Sequence, residues 1–150
     1  MFFNESVVRK CTIFSKHQTV SFRDLTEQAI HDTLKDAAFG TAPEEIFFGN
    51  CAMGSWGQSN IKGQVALQGA VENKIIPNGL PIHNIEGGCA TGSLTFGNAL
   101  RAVQSGACST ALAVGVEKLL FPDDPKMLKS FPIFSSGIDQ IHKNEWKNKN

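Results

Sequence analysis

Short apolar runs alternate with stretches of helical periodicity, and this alternation limits the chain most. Ser6 to Cys11 with its apolar pair Val7-Val8, Ile46-Phe47-Phe48, Leu80 with Ile82 and Ile85, and the run Thr110 to Val116 each read as a strand. Between them, apolar residues recur near helical spacing: Phe22, Leu25, Ala29, Leu34, Ala37 and Ala38, then Ile61, Val65, Ala66 and Ala70. A third helical stretch, from about Ala90 to Ser105, is rich in small residues (Ala90, Gly92, Ser93, Gly97, Ala99, Ala102). Glycine costs a helix about 1 kcal/mol relative to alanine, so its repeated use predicts a buried helix packed closely on its neighbours. Ser21 with Asp24 three residues on predicts a capping box, and Gly40 and Gly106 supply helix stops. The order β-α-β-α-β-α-β predicts an α/β fold, a mostly parallel sheet with helices on both faces. The fourth run has almost no polar residue, as a strand inside a parallel sheet requires.

Length and charge narrow the function classes. The chain has 150 residues, and 14 Lys and Arg balance 14 Asp and Glu. A neutral chain has no strong electrostatic grip on nucleic acid or on an anionic membrane. Glu5 and Arg9 interrupt the amino-terminal apolar residues before they reach signal-peptide length. The longest apolar run, Ala111 to Val116, is far short of the roughly 20 residues that span a bilayer. The four cysteines, Cys11, Cys51, Cys89 and Cys108, are 40, 38 and 19 residues apart, which suits neither a zinc knuckle nor a redox pair adjacent in sequence. Free thiols in the cytoplasm, with no metal, are the expectation. After Leu120, Pro122, Pro125 and Pro132 break the pattern, and residues 140–150 read as a solvated polar tail.

Chemistry concentrates at Glu86-Gly87-Gly88-Cys89-Ala90-Thr91-Gly92. Cys89 follows a strand, sits on a two-glycine turn and opens a helix. The first helical turn presents unpaired N–H groups and partial positive charge, which stabilise a thiolate. Glycines let a substrate approach the sulfur closely. The carboxyl ends of strands are also where open α/β sheets bind ligands. The arrangement is the thiol counterpart of the nucleophile elbow of serine hydrolases. The plainer alternative is a small residue that fills a tight turn.

The run Gly87-Gly88-Cys89-Ala90-Thr91-Gly92-Ser93, followed by a small-residue helix and by Ala113-Val114-Gly115-Val116-Glu117-Lys118-Leu119, resembles the thiolase superfamily. Within it, the likeness is to sterol-carrier-protein-type thiolases and their prokaryotic acetyl-CoA acetyltransferase relatives. Thr12, Phe14 and Ser21-Phe22-Arg23-Asp24-Leu25, then Ile46-Phe47-Phe48-Gly49-Asn50, then Gly57-Gln58-Ser59-Asn60-Ile61-Lys62-Gly63-Gln64 agree in order with the family's opening segments. The resemblance covers residues 6 to about 139. It implies a thiolase-like amino-terminal half in residues 1–139, in which Cys89 is the nucleophile that accepts an acyl group from acyl-CoA. Acyl-CoA is then substrate, and no separate cofactor is expected. A homodimer, or a chain supplying the carboxyl-terminal half, is the implied partner, and lipid metabolism the implied setting. The family's catalytic histidines, its second cysteine and most of its oxyanion hole belong to its second half, so this chain alone is expected to be inactive. Arg9 and Lys10 depart from the small or apolar residues of relatives. Two alternatives stand: a non-catalytic thiolase-like binding protein, and a fragment of a β-ketoacyl-synthase-like condensing enzyme, in which Cys-Ala-Thr-Gly also occurs.

The remaining candidates have plainer readings. His83, six residues before Cys89 on the same strand, is too far away to act as its base. Asn84 and Glu86 lie on the opposite face of that strand and are expected to brace the loop. Cys51 follows the second strand and is a candidate for the pocket rim or for a structural thiol. Cys108 is expected in the core, His31 on a helix surface, and His17 and His142 in loop and tail. For Glu117 and Lys118, at the end of the fourth strand, the resemblance implies pocket or interface structure and no part in the chemistry.

Overall fold

A computed structural model describes residues 10–13, 19–37 and 42–119. Its elements run α1 (Phe22–Ala37), β1 (Glu45–Gly49), a 3-10 turn (Met53–Trp56), α2 (Lys62–Glu72), β2 (Ile82–Ile85), a 3-10 turn (Gly88–Ala90), α3 (Thr91–Gln104) and β3 (Ala111–Gly115). All strand pairings among the described residues are parallel, in the order β2-β1-β3. Three of the four expected strands are therefore present. The first, residues 6–11, lies mostly outside the described residues; of it, Lys10 and Cys11 are seen, and they are not in a strand. The tail at 140–150 also lies outside them.

The capping box on α1 is real. The Ser21 amide donates to Asp24 Oδ2 (3.3 Å), the Asp24 amide donates to Ser21 Oγ (3.1 Å), and the Ser21 hydroxyl donates to Asp24 Oδ2 (2.7 Å). These bonds favour the charged carboxylate and hold Asp24 below its ordinary value.

Alternation along the strands divides the two faces of the sheet. Ile46, Phe48, Leu112 and Val114 point one way and join Ile30 of α1 and Ala66, Leu67 and Ala70 of α2 in the main core. Phe48, Ile30, Ile46 and Leu67 are its largest fully buried side chains. The other face is covered by α3, which crosses β1 and β3. Chain order explains this division. The path steps from β1 to β2 on one side, then returns past β1 to β3, and right-handed crossovers in opposite directions put their helices on opposite faces.

The small-residue helix differs from expectation. Gly92 is exposed, and a side chain added there would meet nothing within 4 Å; one at Gly97 would meet only Arg101 of the same helix, 3.5 Å away. Leu94 and Phe96 are 41% and 46% exposed. Close packing comes from the strand instead. A Cβ on Gly49 would collide with Thr95 Oγ1 and lie 3.2 Å from Thr91 Cγ2. The face Thr91, Thr95, Ala99 is the buried one.

Gly49→Ala is therefore expected to lower stability by about 1–3 kcal/mol through overpacking. Gly97→Ala, in a helix interior with room, is expected to raise it by up to about 1 kcal/mol. Urea unfolding of both variants checks this; equal effects would contradict the assigned contact.

Candidate active site

The carboxyl ends of the strands form the site. Gly49 and Gly115 are register partners on β1 and β3, and a Cβ on Gly115 would lie 3.0 Å from the Gly49 carbonyl oxygen. The floor of the site is therefore bare backbone. Above it opens a cleft of about 500 Å³, lined by these two glycines with Gly88, Cys89, Thr91 and Gly92 from one side and Cys51 and Glu117 from the other.

Cys89 is exposed and lines this cleft. It lies in the 3-10 turn just ahead of α3, whose first residue is Thr91; it does not belong to the first turn of the α-helix itself. Thr91 locks the turn from below: its Oγ1 accepts from the Gly87 amide (2.9 Å) and donates to the Gly88 carbonyl (2.7 Å). Gly88 has φ of +56°, a conformation that side chains resist. The Ala90 amide closes the turn on the Gly87 carbonyl at 3.0 Å.

The opposite rim is held by Asn50, Lys62 and Glu117. Asn50, 1% exposed, donates through Nδ2 to the Val116 carbonyl (2.6 Å) and accepts at Oδ1 from the Met53 amide (2.8 Å). It joins the ends of β1 and β3 and starts the 3-10 turn that follows. Glu117 accepts from the amides of Cys51 and Ala52. Although the residue is partly open to solvent, burial raises its carboxyl above the ordinary glutamate value, against the opposing pull of those two amides. Lys62, with a side chain 12% exposed, bonds Glu86 (2.9 Å) and the Asn50 carbonyl (3.4 Å). The usable sequence signal was a polar residue placed directly after a fully buried strand.

Cys51 lines the same cleft, and burial pushes its thiol up, with the Glu86 and Glu117 carboxylates adding to the shift. Cys108 is buried near the start of β3, and Cys11 is exposed. His83 lies on the α3 side of the sheet, stacked on Phe47 (centroids 4.6 Å apart) and 3.2 Å from Glu45, and does not line the cleft. Asn84 braces the start of α2, accepting from the Gly63 amide (2.6 Å) and donating to Gln64 (2.9 Å). Glu86 pairs with Lys62, as the bracing reading expects. His31 is exposed beside Asp32, and His17 and His142 lie outside the described residues. Lys118 sits over the rings of Trp56 and Phe22 (5.1 and 5.8 Å), and its carbonyl accepts from Trp56 Nε1 (2.9 Å), pinning the end of β3 to α1 and the rim turn. Among the described residues, no group of three or more His, Cys, Asp and Glu side chains could hold a metal. No helix among them is long and apolar enough to cross a membrane.

The raised Glu117 carboxyl has a signed consequence. A group that holds its proton more tightly when folded stabilises the fold below its unfolded pKa, and that contribution is lost as pH rises through the folded pKa. Relative to Glu117→Gln, the parent chain is expected to be favoured at acid pH and to lose that advantage toward neutrality. Paired urea titrations across this range test it; a parent advantage that grows with pH would contradict the assignment.

The chain is 28% identical over 138 residues to an acetyl-CoA acetyltransferase of Methanothermobacter thermautotrophicus, an alignment covering 91% of this chain and 32% of that relative. The chain thus spans about a third of the relative's length. Residues 8–136 match the family described as thiolase, N-terminal domain. With most of its length in that match and its β-α-β-α-β order intact, the chain belongs to the thiolase N-terminal domain family.

Proposed function

We propose that this chain carries the acyl-accepting half of a thiolase-type acyltransferase, with Cys89 as the residue that takes the acyl group from acyl-CoA. The observation that carries the reading is the placement of Cys89. It is an exposed thiol on a glycine turn, ahead of a helix and beside a cleft floored by Gly49 and Gly115. A flat thioester can reach the sulfur there without meeting a side chain from the floor. The Cys89 sulfur attacks the thioester carbonyl, the carbon–sulfur bond to coenzyme A breaks, and the coenzyme leaves as its thiolate. Thioester exchange is close to balanced, so a positioned nucleophile is the main requirement.

The second half-reaction removes a proton from the α-carbon of another acyl-CoA, and that needs a base within about 3 Å. Among the described residues, the titratable side chains on the cleft are Cys51, Cys89 and Glu117. Cys51 is held as a thiol, and Glu117 is committed to two backbone amides. A second half, from a further segment or a partner chain, would supply that base and the remaining oxyanion donors. The relative's name, acetyl-CoA acetyltransferase, favours a short acyl group.

Iodoacetamide at neutral pH is expected to alkylate Cys89 ahead of Cys11, the other exposed thiol, with Cys51 and Cys108 slower because burial keeps them protonated. Equal rates at Cys89 and Cys11, read by peptide mass mapping, would reject the nucleophile. The purified chain alone is expected to condense no acetyl-CoA. Coenzyme A release that disappears in Cys89→Ala would show instead that the half is sufficient.

A further inference from the structure

Two thiols share the cleft, and the proposed acyl transfer uses only one. Gly49 and Thr91 touch where β1 meets α3. Cys51 lies two residues beyond Gly49 and Cys89 two residues before Thr91, so the thiols flank one contact and line one cleft. Burial, with the neighbouring Glu86 and Glu117 carboxylates, pushes the Cys51 thiol up. Cys51 is fixed from behind, its amide held by Glu117, and Cys89 sits on the turn that Thr91 holds at the edge of the same cleft.

We propose that Cys51 and Cys89 form a reversible, peroxide-responsive dithiol that closes the cleft by a disulfide. In the first step the Cys89 thiolate attacks a hydroperoxide. An S–O bond forms, the O–O bond breaks, and the departing oxygen leaves as hydroxide or alkoxide and takes up a proton. Cys89 is then a sulfenic acid. In the second step the Cys51 sulfur attacks that sulfur. An S–S bond forms, the S–O bond breaks, and the hydroxyl leaves with the Cys51 proton as water. Two thiols are oxidised by two electrons, and one peroxide is reduced. A thiol reductant reverses the bond by exchange. Cys51 suits the resolving role because, held as a thiol, it does not compete for acyl groups, yet it lines the same cleft as the sulfur that peroxide modifies. The outcome protects Cys89 from the irreversible sulfinic state and blocks acyl loading while peroxide persists.

The inference rests on Cys89 being the reactive thiol of the cleft, and the experiment separates the two claims. The full chain is treated with hydrogen peroxide, then analysed by intact mass and non-reducing peptide mapping, with iodoacetamide labelling in parallel. The expected result is a chain lighter by two hydrogens, a Cys51–Cys89 cross-linked peptide, loss of Cys89 labelling, and recovery of both thiols with dithiothreitol. In Cys51→Ser, Cys89 is expected to gain oxygen atoms and to recover incompletely. Rapid labelling of Cys89 in the untreated chain, combined with peroxide products that are the same with and without Cys51, would overturn the dithiol and leave the acyl-acceptor reading intact. A Cys89 inert to both reagents would overturn both.

Discussion

The absence of a side chain at Gly49 sets how close α3 can come to the sheet, and the site depends on that distance. Thr91 and Thr95 occupy the space a Cβ would need. The same Thr91 hydroxyl bonds the backbone on both sides of the Gly87–Gly88 peptide and so holds the turn that carries Cys89. One packing contact therefore transmits the position of the central strand to the candidate nucleophile. Beside it, Gly115 lies against the Gly49 carbonyl and leaves the cleft floor as backbone. A side chain at Gly49 would meet Thr91 and Thr95, and one at Gly115 would meet the Gly49 carbonyl.

The opposite rim is organised by polar groups that leave little freedom. Asn50 is buried and uses both ends of its amide, and burial without those partners would cost roughly 1–3 kcal/mol. Glu117 gathers two amides from the loop after β1, and Lys62 ties the same loop to Glu86. Every buried side-chain polar atom among the described residues has a partner. This wall draws on separate stretches of chain, and its Cys51 lines the same cleft as Cys89.

Much of the framework could be read from residue order. The Ser21–Asp24 box, the buried strand at 46–48, the turn at Gly87-Gly88 and the apolar run through Leu112 and Val114 each carry a local signal, and each appears where that signal puts it. The helix glycines were misleading for a physical reason. Glycine composition shows that close approach is possible somewhere, but not on which partner it falls. Here the partner is the strand glycine, while a side chain at Gly92 would meet nothing and one at Gly97 only Arg101 of the same helix. The bonds that tie Asn50 to Val116 and Glu117 to Ala52 were not legible locally, because they cross 65 or more residues of chain.

Sequence alone therefore determined the alternation of elements, the α/β class, and the cysteine on a strand-to-helix turn, since periodicity and glycine placement are properties of neighbouring residues. Tertiary structure decided the rest. It placed Gly49 beside Gly115, put Thr91 against Gly49, and brought Cys51 into the cleft of Cys89. Those juxtapositions follow from strand order and from which helix covers which face, and these are settled only when distant segments bury their apolar surfaces against one another.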